Sequence, residues 1–69
     1  MQGVVKLFLR SQHYGFISTE AGDFFFHGSG VIGGADTIRT GEHVQFWLDD
    51  DPRGRGNLIA VDVRPLRFE

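Results

Sequence analysis

The sequence predicts an all-β fold, a small five-stranded antiparallel barrel, on three observations. Apolar residues recur at every second position in several short segments, and no stretch carries a convincing helical period. Glycine, present ten times in 69 residues, punctuates those segments and crowds the interval before the fourth. A chain of this length has one modest core and, with no cysteine, neither a disulfide framework nor a thiolate metal site to staple it. Short strands with one apolar face are usually buried by closing the sheet on itself.

The first strand is expected over 3–10, with Val5, Leu7 and Leu9 on one face and Val4, Lys6 and Phe8 on the other. Ser11-Gln12-His13 supplies the turn into a second strand over 14–19, where Ile17 points inward beside Gly15. A tight turn at Glu20-Ala21-Gly22 makes the third strand, 23–27, its antiparallel neighbour, with Phe24 and Phe26 on the core side. Residues 28–41 read as a loop with one short helical turn near Ser29 to Ile32. The fourth strand, 42–49, places Val44, Phe46 and Leu48 inside and His43, Gln45 and Trp47 outside. A charged turn over 50–56 leads to a fifth strand over about 57–64, with Ile59, Val61 and Val63 inward. The order is a three-strand meander, a long crossing loop and a hairpin. It makes one domain over 1–64 and a tail over 65–69.

Alternation leaves Tyr14 and Phe16 on one outer face and Phe25 and His27 beside them, because Val5, Ile17, Phe24 and Phe26 already fill the inward positions. Four flat rings on one sheet surface are what stacking unpaired bases requires. Lys6, read on the same face as the rings, suits a phosphate. Trp47 points outward on a strand away from the rings. It either covers the tail around Leu66 and Phe68 or is a partner contact, since exposed tryptophan is enriched at interface anchors.

The formal charge of −2 argues against tight, non-specific duplex binding, although Asp49-Asp50-Asp51 concentrates three of the nine acidic residues in one turn. Stacking-driven binding of single strands is compatible with that balance. Catalysis has little support: His27 and Ser29 are close in sequence, but no nucleophile, base and orienting group share a recognisable spacing. Three scattered histidines offer no metal-ligand pattern, and the glycines of 28–34 are not followed by the Gly-Lys-Ser/Thr of a phosphate loop. The expectation is therefore a protein that is not an enzyme and carries no cofactor or metal. No segment is long enough to span a bilayer, and the N-terminal apolar run is too short for a signal peptide. Cytoplasmic location without a membrane partner is the corresponding expectation.

The same residues resemble a cold-shock domain, an OB-fold barrel that binds single-stranded RNA or DNA. Gly3-Val4-Val5-Lys6-Leu7-Phe8 is similar to the family's first strand, G-x-V-K-W-F, except at the tryptophan. Gln12-His13-Tyr14-Gly15-Phe16-Ile17 keeps the last four positions of K-G-F/Y-G-F-I, and Asp23-Phe24-Phe25-Phe26-His27 keeps the aspartate, central phenylalanine and histidine of D-V-F-V-H. Gly41-Glu42-His43-Val44-Gln45-Phe46 is similar to G-x-x-V-x-F.

The resemblance implies nucleic-acid binding through Lys6, Phe8, Tyr14, Phe16, Phe25 and His27; the residues themselves add Leu7 as a small apolar contact under a base or sugar, with His13 and Arg55 as candidate rim contacts. Leu7 replaces a tryptophan platform, Gln12-His13 replaces Lys-Gly, and Gly28 stands where another aromatic usually follows the histidine. Each lost ring implies binding weaker by about ten- to a hundredfold. The expected function is that of an RNA chaperone or cold-shock-type regulator of low sequence specificity. The alternative is an OB-type protein-interaction module, or a homodimer joined through Trp47, that has lost most nucleic-acid binding.

Overall fold

The alternating segments form β1 (Gln2–Leu9), β2 (Tyr14–Thr19), β3 (Gly22–His27), β4 (His43–Asp50) and β5 (Leu58–Pro65). They belong to a computed structural model that describes residues 1–52 and 56–66. The strands close into a barrel in the order β1-β2-β3-β5-β4. Among the described strands only the β3–β5 pairing is parallel. Among the described residues no helix is long and apolar enough to cross a membrane.

The β2–β3 hairpin turns at Glu20-Ala21 between the paired Thr19 and Gly22. Thr19 Oγ1 accepts from the Ala21 N–H at 3.0 Å and donates to the Gly22 carbonyl at 2.8 Å. Gly22 takes a φ of +112°, which an L side chain rarely adopts. The core consists of Val5, Ile17, Phe26, Val31, Ile38, Val44, Phe46, Ala60 and Val63, with Phe8, Phe24 and Leu48 packed against it.

Two bulges change which residues face inward. In β1 the register shifts between Val5 and Leu7. The extra residue reverses the parity of everything beyond it. Leu7, expected inside with Val5, therefore stands opposite Phe16 and is 41% exposed. Phe8, expected outside with Lys6, stands opposite Gly15 and stacks on the buried Phe26, with centroids 5.5 Å apart. Gly15 is small because a Cβ there would meet the Leu7 carbonyl and the Phe26 ring.

The second bulge lies where β4 meets β5. Gln45 pairs with Arg64 and Trp47 with Val61, so one β4 residue faces two on β5, and Asp62 absorbs the mismatch at a φ of +52°. Val63 is inward as expected, but Ile59 and Val61 are not. Ala60 takes the core position between them, opposite Leu48, and both neighbours lie on the outer face.

Between β3 and β4 the chain makes two 3-10 turns, Gly28–Gly30 and Ala35–Thr37. Val31 bridges to Val63, and the Ile32 N–H donates to the Val63 carbonyl at 2.8 Å. Ile38 is fully buried in the core. The end of β1 holds this loop: Arg10 pairs with Asp36 at 3.0 Å, donates to the Ile38 carbonyl and lies over the Phe8 ring. At the C-terminal end Pro65 pairs with Val44, and the Leu66 N–H donates to the His43 carbonyl at 2.9 Å.

Candidate nucleic-acid interface

Cross-strand register sets the outer surface in two rows. One row runs Leu7, Phe16, Phe25, Ile59, Asp49. The other runs Leu9, Tyr14, His27 and, by continuation of the β3–β5 register, Val61, which pairs with Trp47. Pairing of this kind brings side chains on one face to within contact distance.

Tyr14, Phe16 and Phe25 form a closed triangle of rings. Their centroids are 5.3 Å (Tyr14–Phe25), 5.7 Å (Phe16–Phe25) and 6.2 Å (Tyr14–Phe16) apart. All three are half-buried: their edges support one another, and part of each ring remains accessible.

His27 ends β3 and begins the loop. Its Nδ1 accepts from the Ser29 N–H at 3.1 Å and lies 2.8 Å from Ser29 Oγ. An Nδ1 that accepts a backbone N–H carries no proton in the neutral ring, so the proton sits on Nε2. Beside it the exposed His13 takes a φ of +62° and sets its ring edge-on to His27 at 5.0 Å. The His13 ring lies against Gly28, where a Cβ would come within 2.8 Å of it. The imidazole of His13 thus occupies space that a side chain at position 28 would need.

The electrostatics are less open than the positions alone suggest. Lys6 Nζ pairs with Asp23 at 2.7 Å. The hydrogen bond from Lys6 outweighs an opposing effect of desolvation and, with the Lys6 charge and the Ser18 hydroxyl adding less, holds the Asp23 carboxyl below the usual carboxylate range. The Asp23 carboxylate therefore stays ionised through neutral and mildly acidic pH. Lys6, Leu7, Phe16 and Asp23 line one shallow recess. Phe8 lies apart from the triangle, lining a recess at the barrel end with Arg10 and His13. Arg55, together with Arg53 and Phe68, lies outside the described residues.

Trp47 is 59% exposed, in the middle of β4. It is not remote from the rings, because only β5 separates β4 from β3. Sequence reasoning missed Ile59 and Val61 as surface residues. The unbroken apolar run Leu58-Ile59-Ala60-Val61 was the available signal, since such a run cannot face one side only.

A closed five-stranded barrel carrying a ring cluster on its outer face is a frame for single-stranded nucleic acid. The "Cold-shock" DNA-binding domain matches residues 1–66, and the chain belongs to that family of nucleic-acid-binding proteins, which are not enzymes. It is 35% identical over 65 residues to the cold shock-like protein CspD of Escherichia coli, covering 90% of this chain and 88% of that protein. It is 42% identical over 55 residues to the major cold shock protein of Streptococcus pyogenes, covering 77% of this chain and 82% of that one.

Proposed function

We propose that the protein binds single-stranded RNA or DNA by stacking bases on Tyr14, Phe16 and Phe25, and that it acts as an RNA chaperone or cold-shock-type regulator with little sequence preference. The observation that carries this reading is the triangle of half-buried rings on the β2–β3 surface. Aromatic faces accept any base, so such a platform is tolerant of sequence. His27 adds an Nε2–H donor held in place by Ser29, and Leu7 adds apolar contact beside Phe16.

Affinity is modest in this reading. Lys6 spends its charge on Asp23, and Leu7 offers no ring. With few phosphates neutralised, binding falls gently with salt, with a log–log slope of about −1. The test is a titration of labelled oligothymidine or oligouridine at low salt. Absence of saturable binding up to millimolar protein would end the proposal.

Asp23→Asn sharpens that test, because it frees Lys6 without touching a ring. Binding is expected to tighten several-fold at low salt, and the gain should shrink as salt rises. The depressed carboxyl stays ionised across pH 5–8, so the gain is expected to be constant over that range. An unchanged affinity would remove Lys6 from the phosphate path.

The second reading, a self-associating or protein-binding module, rests on the exposed Trp47. It predicts a dimer whose formation Trp47→Ala abolishes and Phe16→Ala leaves intact.

A further inference from the structure

We propose that the nucleic-acid path does not end at the β2–β3 rings but crosses β5, and that Trp47 on β4 stacks one further base. This inference rests on the stacking function of the β2–β3 rings.

The outer surface is continuous in that direction. Phe25 and Ile59 are paired across the parallel β3–β5 junction. They line, with His27, Ser29, Val61 and the almost fully buried Asp51, an open cleft of about 390 Å³ whose exposed lining is mainly apolar. Val61 in turn pairs with Trp47. A strand leaving Phe25 or His27 therefore meets apolar floor on β5 and then an indole. Two strand spacings separate β3 from β4, about 10 Å. The indole is the largest aromatic face in the chain and is more than half exposed.

Charge selects the row. The row through Phe16 and Phe25 ends on Asp49, paired with Ile59, which repels phosphate. The row through Tyr14 and His27 ends on Trp47, and Arg64 lies one cross-strand pair further along the same outer face, opposite Gln45. Lys6 and Arg10 are held by carboxylates, whereas Arg64 is exposed and makes no ion pair among the described residues. A base on Trp47 with its phosphate toward Arg64 uses both groups. A single strand is the occupant these features favour over a second copy, because the path continues the rings and ends on a cation.

The chain has one tryptophan, so its emission reports on this position alone. Labelled oligothymidines of about four and about eight nucleotides, within the usual range for one such barrel, are titrated onto the full chain, and label anisotropy is followed together with Trp47 emission. The longer oligomer is expected to quench the indole and the shorter one to bind with little quenching. Trp47→Ala is expected to weaken the longer oligomer about tenfold and leave the shorter one unchanged. Trp47→Phe should retain most of the affinity, and Arg64→Gln should reduce the salt slope for the longer oligomer by about 0.7.

If both oligomers saturate the label while Trp47 is unquenched and Trp47→Ala binds like the wild type, the extension is wrong and the ring platform stands. If neither oligomer binds, both ideas fall. A concentration-dependent emission shift without oligonucleotide, with a dimer mass by light scattering that Trp47→Ala abolishes, would overturn the inference and make Trp47 a contact between copies.

Discussion

Gly15→Ala is expected to lower the melting temperature by roughly 10–20 °C, the consequence of about 2–3 kcal/mol of overpacking in a domain this small. The added Cβ would meet the Leu7 carbonyl and stand 2.9 Å from the Phe26 ring. Neither can yield cheaply. The carbonyl belongs to the β1–β2 ladder, and Phe26 is fully buried and already stacked against Phe8. A core of this size supplies only about 3–5 kcal/mol in total, so a loss of that order leaves a large unfolded fraction at 37 °C. Thermal melting followed by far-UV circular dichroism reads the effect. A midpoint within a few degrees of the wild type would show that β1 can move away from β2 without cost, and would sink the explanation.

Phe25→Ala is expected to weaken binding of oligothymidine by about ten- to a hundredfold, the worth of one base–aromatic contact. Phe25 is the middle ring of the surface: it contacts both Tyr14 and Phe16 and pairs with Ile59. Its removal deletes one platform and leaves the other two less supported. Part of the effect is structural, since each lost ring pair is worth about 0.5–1.5 kcal/mol of stability, so folding of the variant has to be confirmed by its melting curve. Phe25→Leu and Phe25→Tyr separate the contributions. Leucine retains apolar area without a π face and is expected to bind nearly as weakly as alanine, whereas tyrosine should approach the wild type. Equal affinity for all four proteins would remove stacking as the mechanism.

Most of the barrel was legible in the sequence because its determinants are local. Period-two alternation marks β2 and β4, and glycine marks the β2–β3 turn and the loop before β4. The ring face followed as well, since Ile17, Phe24 and Phe26 leave Phe16 and Phe25 only one direction to point. What alternation does not contain is a bulge. One extra residue near Lys6 turned Leu7 outward and Phe8 inward, and one at Asp62 allowed Val63 to be inward while Ile59 and Val61 are not. The parity of a strand is a pairwise property of two ladders, invisible in either strand alone. The same holds for the Lys6–Asp23 pair, whose partners are 17 residues apart and meet only because β1, β2 and β3 are consecutive neighbours. The apparent isolation of Trp47 was a topological error: β5 returns between β3 and β4 and carries the surface across.

The contact of the His13 ring with Gly28 constrains how this surface can change. With histidine at position 13, a larger residue at 28 must first evict an imidazole from its place against His27. With glycine at 13, the space over position 28 is free. The two sites are therefore not independent letters but a coupled pair. His13 is exposed and its imidazole can rotate away, so a side chain at 28 is admitted at the cost of the edge-on contact between the His13 and His27 rings.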